Sequence, residues 1–398
     1  MTKVLFLNGN LHGHINPTLP IVKELVHRGE EVYYLSTKEF QKKIEEHGAT
    51  FMDLGEEFDK FLLEFRPHGN HPFYTLMEYM LGFDHAIMKI MLDRIADIQF
   101  DFLIHDVMFG AGKIIAAKLH IPAISSCSSF VMEEPPIPAS MLKPGYHVQL
   151  DYLYHQLEQV KEEWKLPALT LNDIFFKKEE CNIVYTSKYF HPNSDSLDDS
   201  YQFIGPSLMK RDEELDFTIN KSRYTKLIYI SMGTINNKCL DLYHYILKAF
   251  NNTDYQVVLS IGNKIDITEL GDIPENYIVR NYIPQLEILK QADLFISHGG
   301  LNSVSEAFYH RIPVIAIPMA NDQPAVGKRI DELGAGISLN PDSISAELLR
   351  TTAEHILRTE SYYQHARDIQ DSFIHAGGYL KGTNVILDYI HYKNLKKV

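Results

Sequence analysis

A short apolar run at residues 3–7 leads into the turn Asn8-Gly9-Asn10-Leu11-His12-Gly13-His14. Residues 16–27 then carry Leu19, Val22, Lys23 and Val26 at helical spacing. Asn16 is placed to cap that helix, Pro17 suits its first position, and Gly29 can end it. Residues 32–35 form the next apolar run, which completes a βαβ unit. The pattern returns at residues 102–105, which lead to Asp106, then at a helical stretch over 112–119 and a strand over 121–125. After residue 225 it starts again, with strands at 227–231, 257–260, 277–279, 294–297 and 314–317 and helical segments between them. Strands alternating with helices imply a parallel sheet in each half.

A chain of 398 residues has room for two or three domains. Residues 206–224 are polar, charged and poor in apolar periodicity, and form the linker candidate. Asp and Glu number 52 against 38 Lys and Arg, a net charge of −14. That balance argues against a nucleic-acid partner, which needs a basic face. It leaves room for an anionic small molecule, because a few backbone N–H groups hold a phosphate locally. The three cysteines, Cys127, Cys181 and Cys239, are far apart and odd in number. They make no disulfide framework or zinc cluster and point to a reducing compartment, the cytoplasm. The first residues do not read as a signal peptide, and no apolar stretch approaches a membrane span of ~18 residues.

Two stretches break the rhythm. Residues 57–92 are rich in Phe, Met, Leu and Tyr, with Pro67, Gly69 and Pro72 in the middle. Residues 127–154 hold Pro135, Pro136, Pro138, Pro144 and Gly145 among Met and Tyr. Two readings stand: ordinary helix and loop packing, or an adaptable apolar pocket for a substrate.

Chemistry concentrates between Arg280 and Gln323. Tyr282-Ile283-Pro284-Gln285 is followed by a strand ending at Ser297, then His298-Gly299-Gly300-Leu301-Asn302-Ser303-Val304-Ser305-Glu306. A further strand leads to Asn321-Asp322-Gln323-Pro324. A strand that ends in two glycines and opens a helix near Asn302 presents free N–H groups and the positive end of the helix dipole. Glycine lets a bulky anion approach the backbone. Asn302, Ser303 and His298 add side-chain donors, so the set can cradle a diphosphate at the carboxyl edge of a parallel sheet. Glu306 can accept from ribose hydroxyls, Tyr282 offers a flat face to a base, and Asp322 and Gln323 can bond sugar hydroxyls. Each piece alone also fits a capped helix behind a glycine turn; the ordered set favours a nucleotide-sugar site.

At these residues the sequence resembles the family 1 UDP-sugar glycosyltransferases, closest to the bacterial macrolide and flavonoid glucosyltransferase branch. The resemblance runs over nearly the whole chain. It implies the GT-B fold, an α/β architecture of two Rossmann-like parallel-sheet domains facing across a cleft. Residues 1–205 would bind the acceptor, 206–224 would link, and 225–379 would bind the donor. The final helix, 380–398, would cross back onto the first domain. By the same resemblance Tyr282 stacks on uracil, with Ile283 beside it, and Gln285 bonds the edge of the base. His298, Gly300, Asn302 and Ser303 meet the phosphates, Glu306 the ribose, and Asp322 and Gln323 the sugar. Gly13 and the turn Ser231-Met232-Gly233-Thr234 complete the donor contacts. Trp, Cys and Trp stand in the family's plant members where Tyr282, Gly299 and Leu301 stand here.

His14 and Asp106 form a second pair. Both follow strands of the first half at its carboxyl edge, where two loops can face one site. A neutral imidazole can take a proton from a hydroxyl, and a carboxylate behind it fixes its tautomer. By residue pattern alone the plainer readings are favoured: His14 as a loop histidine bonded to backbone and Asp106 as a helix N-cap. The resemblance gives them the roles of base and partner, and leaves His12 structural or substrate-lining.

The resemblance thus implies an inverting hexosyltransferase. It would move glucose from UDP-glucose, a co-substrate, to a hydroxyl of a flavonoid, another phenol or a macrolide. No Asp-x-Asp occurs, so no cofactor or metal is expected. The rivals are a Rossmann oxidoreductase, whose Gly-x-Gly-x-x-Gly turn lacks its middle glycine here, and a non-catalytic nucleotide-sugar or lipid binder on the same fold.

Overall fold

The computed structural model describes residues 2–56, 60, 64–107, 110–131, 139–171, 173, 178–210, 213–220, 222–234 and 237–395. The chain divides into two compact units. One comprises Met1–Tyr185, Asp195–Ser207 and Gly377–Val398, the other Thr186–Ser194 and Leu208–Ala376.

The first unit holds a seven-stranded parallel sheet. Its strands are β1 (Lys3–Leu7), β2 (Glu31–Ser36), β3 (Thr50–Asp53), β4 (Phe102–Asp106), β5 (Ala123–Cys127), β6 (Asn182–Val184) and β7 (Tyr201–Phe203). Their order is β3-β2-β1-β4-β5-β6-β7. The topology reverses at β1, so the loops after β1 and β4 leave the same edge on neighbouring strands, where such folds bind ligands. Register sharpens this: Leu7 is level with His105, and Asp106 with Ser126. Val4, Phe6, Phe102 and Ile104 face one layer of the core, Leu5, Leu7 and Leu103 the other.

The second unit repeats the plan with six parallel strands: β8 (Lys226–Ser231), β9 (Tyr255–Ser260), β10 (Tyr277–Arg280), β11 (Leu294–Ser297), β12 (Val314–Ala316) and β13 (Gly336–Ser338). The order β10-β9-β8-β11-β12-β13 again reverses at its first strand. Ser231 is level with Ser297, so the loops after β8 and β11 start side by side.

Several local expectations are corrected. The first long helix starts at Leu19, not Asn16, because His12–Ile15 form a helical turn of their own. Thr18 Oγ1 donates back to the Ile15 carbonyl at 2.8 Å, and Pro20 takes the first-turn position. Gly29 does follow that helix, at φ +91°. Strands β3, β6, β7 and β13 were not foreseen; each is three or four residues long and lacks an apolar run.

The segment read as an aperiodic linker has a period after all, of two. Glu213, Leu215, Phe217 and Ile219 are half-buried and alternate with exposed Glu214, Asp216, Thr218 and Asn220. It lies with the second unit. Thr186–Ser194 also lies there rather than within a 1–205 unit. Phe190 packs edge-on against Phe308 and Phe373, and Arg329 donates to the carbonyls of Tyr189 and Phe190.

The methionine-rich first stretch supplies packed core through its helix, whereas in the second stretch residues 143–146 and Val148 are exposed. Pro72 opens, rather than breaks, a helix over Pro72–Ile95. Its Tyr74, Met77, Met80, Leu81, Met88 and Met91 pack with Leu150, Leu153, Leu157 and Val160 of the helix Val148–Trp164. Residues 57–59 and 61–63, with Pro135, Pro136 and Pro138, lie outside the described residues. The final helix, Gly378–Leu395, packs along the helix Leu19–His27 and sends Ile386 and Ile390 into the first unit's core. Residues 396–398 are outside the description. No helix among the described residues is long and apolar enough to cross a membrane.

Candidate active site

In the first unit, β1 ends at Leu7 and the chain turns through Asn8 into the helical turn His12–Ile15. Asn8 is fully buried; its Nδ2 donates to the His14 carbonyl at 3.2 Å and to Ser126 Oγ at 3.3 Å. The turn is thereby tied to β5 on the far side of β4. His14 Nδ1 stands 2.6 Å from Oδ2 of Asp106, the last residue of β4. Asp106 has no exposed surface, whereas the His14 side chain keeps 20% of its own. An ionised carboxylate only accepts, so Nδ1 carries the proton on this side, and in the neutral ring Nε2 then holds the lone pair. Ser128 Oγ lies 2.9 Å from the same Nδ1 and shares that proton as a second acceptor.

Asn8 and Ser128 escaped the sequence reading. The available signal was positional: each is a polar residue in the first position beyond a central strand. Gly13 sits in the same turn as His14, on its exposed side. It therefore belongs to the first unit, whereas every other donor candidate belongs to the second.

There, His298 follows β11 directly and lies between two glycines. A Cβ built on Gly233 would stand 2.6 Å from His298 Cε1, and one on Gly300 2.5 Å from Nε2. Gly233 is also left-handed, at φ +73°, as is Gly299 at +80°. These glycines are needed because the imidazole fills the space their side chains would take. Burial holds His298 down to about 4, against a smaller upward pull from its bond to the Ser231 backbone. At neutral pH it offers an N–H dipole, not a charge. Ser297 Oγ accepts from the Gly299 amide at 3.3 Å and fixes the turn. The helix Leu301–Tyr309 then starts with Gly300 at its cap and no side chain capping it, and Asn302 and Ser303 stand half-buried in its first turn. Uncapped amides beside a neutral imidazole suit an incoming anion. Ser231 is half-buried and Thr234 exposed, on the turn beside them.

Gln285 opens the short helix Gln285–Leu289, and its Nε2 donates to Glu306 Oε2 at 2.7 Å. Its Oε1 accepts from the Tyr229 hydroxyl at 3.3 Å, and Tyr229 is stacked flat on Phe295. The base-edge and ribose candidates are thus one network anchored in the sheet. The Ile283 side chain is buried and turns into the core, which leaves its backbone as the part able to meet a ligand. Tyr282 is 64% exposed, and its hydroxyl donates to Glu213 Oε1 at 2.8 Å. Asp322 precedes the helix Gln323–Leu333. Gln323 is buried, and its Oε1 accepts from the amides of Met319 and Ala320 at 2.8 and 3.0 Å. That fixes the loop and orients Nε2 as the group left to meet a sugar.

With the geometry in place, comparisons with known proteins give the lineage. Residues 244–377 match the erythromycin biosynthesis protein CIII-like C-terminal domain. The uncharacterized UDP-glucosyltransferase YdhE of Bacillus subtilis (strain 168) is 37% identical over 379 residues, covering 94% of each chain. The NDP-glycosyltransferase YjiC of the same organism is 32% identical over 381 residues, again 94% of each. Among solved structures, the calicheamicin glycosyltransferase CalG4 is similar in fold, with a TM-score of 0.84 at 24% identity over 98% of each chain. The chain belongs to the family 1 UDP-glycosyltransferases, enzymes of the GT-B fold.

Proposed function

We propose that this enzyme transfers glucose from UDP-glucose to a hydroxyl of an apolar small molecule, a flavonoid, another phenol or a macrolide, with inversion at the anomeric carbon. The observation that carries the reading is the 2.6 Å contact between His14 Nδ1 and the fully buried Asp106 carboxylate. His14 Nε2 takes the proton of the acceptor hydroxyl. The oxygen forms a bond to the anomeric carbon as the bond to the diphosphate breaks, and UDP leaves with the electron pair. Asp106 holds the ring in the productive tautomer and stabilises the imidazolium.

Negative charge grows on the leaving diphosphate. His298 and the uncapped start of the helix Leu301–Tyr309 are suited to meet it, and they would do so more strongly as the bond breaks. Tyr282, Gln285 and Glu306 take the nucleoside, and Asp322 and Gln323 the sugar. No cofactor or metal is assigned a role, so turnover should survive a chelator. Three free thiols fit a cytoplasmic enzyme.

The test is acceptor-dependent UDP release from UDP-glucose over a panel of flavonols and macrolides, without metal. His14→Ala should abolish release while UDP still binds, and Asp106→Asn should lower kcat by roughly 10²- to 10⁴-fold. UDP binding without release by the unaltered protein on any acceptor would instead favour a non-catalytic binder. Loss of turnover with chelator, restored by magnesium, would overturn the metal-free mechanism.

A further inference from the structure

The carboxyl edge of the second sheet carries a row of polar ties that follows the strand order β10-β9-β8-β11. Asn281, just past β10, clasps Gly262, just past β9. The Gly262 amide donates to the Asn281 carbonyl at 3.0 Å, and Asn281 Nδ2 donates back to the Gly262 carbonyl at 2.7 Å. Gly262 in turn lies against Asn237. A Cβ built on Gly262 would collide with Asn237 Nδ2, so the carboxamide occupies the place of the side chain this glycine lacks. Asn237 stands between β8 and the helix Leu240–Phe250 and is 3% exposed. Its Nδ2 donates to the Gly233 carbonyl at 3.0 Å. A carbonyl only accepts, so this contact fixes which way the amide is turned. Gly233 then abuts the His298 ring just past β11, with no room for a side chain between them.

Gly233 is left-handed at φ +73°, a conformation that glycine enters and leaves at little cost. A turn built on such a residue keeps one setting only when bonds hold it. Within the turn the Gly233 amide donates to Ser231 Oγ at a long 3.4 Å; the bond from Asn237 is the shorter of the two. We propose that Asn237 is a positioning residue for the diphosphate: by holding the Gly233 carbonyl it sets the turn against which the His298 ring packs. The proposal rests on the donor site proposed above and extends it to a buried residue outside both donor segments. The nucleoside end of the row has its own clasp, Asn281 with Gly262, which is made without Asn237.

The experiment measures UDP and uridine affinity by calorimetry, and KM and kcat for UDP-glucose, on the full chain. Asn237→Ala should raise the Kd for UDP roughly three- to tenfold, the range of one lost hydrogen bond, and leave the Kd for uridine unchanged. Its kcat should fall as well, because a misplaced cradle meets the leaving diphosphate less well as the bond breaks. Asn237→Leu keeps the buried volume without the amide and should show the same split even where alanine costs too much stability. In a His298→Ala background the Asn237 change should add little. Equal losses for UDP and uridine, an unchanged Kd for UDP, or a full further loss on top of His298→Ala would each overturn the proposal. His298→Ala alone tells the proposal from the reading beneath it. If it weakens UDP while Asn237→Ala does not, only the positioning role falls. If it leaves UDP binding unchanged, the donor assignment falls and this inference with it.

Discussion

Single residues in this protein are constrained mainly by what their neighbours leave room for. Gly233 and Gly300 are glycines because His298 occupies the volume a methyl group would need. Gly233→Ala and Gly300→Ala should each displace the imidazole and weaken UDP binding by about tenfold or more, ~1.4 kcal/mol. Gly233→Ala should be the worse of the two, because a left-handed backbone at φ +73° adds about 1–2 kcal/mol of strain for a residue with a side chain. Calorimetric titration of both variants checks the order; equal and unperturbed affinities would place the phosphates elsewhere. Gly300 was legible in the sequence as a phosphate-approach signal, and Gly233 only through the resemblance of the turn 231–234. Their actual service to His298 was not, because Gly233 and His298 are 65 positions apart and meet only when β8 and β11 pair.

Among the elements, the final helix shows how a distant segment completes a core. Ile386 and Ile390 are buried against the face that the helix Leu19–His27 presents, and Gly382 packs close to Ile21 and Ile204. Ile386→Ala and Ile390→Ala should each cost about 2–5 kcal/mol of stability, as large-to-small changes in a closed core do. Ending the chain after Ala376 should cost more. Trp164 is the protein's one tryptophan and packs on the first unit's core, so its fluorescence during urea unfolding reports that loss. A truncated chain with the same Trp164 midpoint would show that the helix is dispensable. The helical spacing of this segment was readable from the sequence, and the long strands were too. The short strands β3, β6, β7 and β13 were not, because their stability comes from pairing and burial toward the sheet edges rather than from composition.

For the molecule as a whole, acid should act through buried histidines. His298 is held near 4 by burial, and His191 near 4 by burial with help from the Arg329 charge. Both belong to the second unit. Unfolded, these side chains titrate near 6.5, so below that pH the unfolded chain binds protons that the folded unit refuses. Their stabilisation is complete above pH 6.5 and is lost as pH falls toward 4, by roughly 3 kcal/mol per histidine. In the same window His310 of the second unit and His12 of the first are also lowered by burial, so the second unit carries three such groups and the first unit one. Circular dichroism melts should show an acid-sensitive transition between about pH 6.5 and 5 that Trp164 fluorescence, confined to the first unit, follows only weakly. Coincident transitions with no loss down to about pH 5 would contradict it. By itself the sequence determined the two parallel-sheet halves and marked the segment 280–323 as a candidate donor site, because periodicity and short motifs are local and each carries its own physical signature; the pairing of His14 with Asp106 came from the family resemblance and is seen as a contact only in the fold. The tertiary structure alone decided where the units divide, that Asn8 and Ser128 brace the His14 turn, that the methionine-rich helix is core, and that Glu213 reaches Tyr282. Those facts depend on contacts between distant segments, and such contacts exist only after the sheets have set their register.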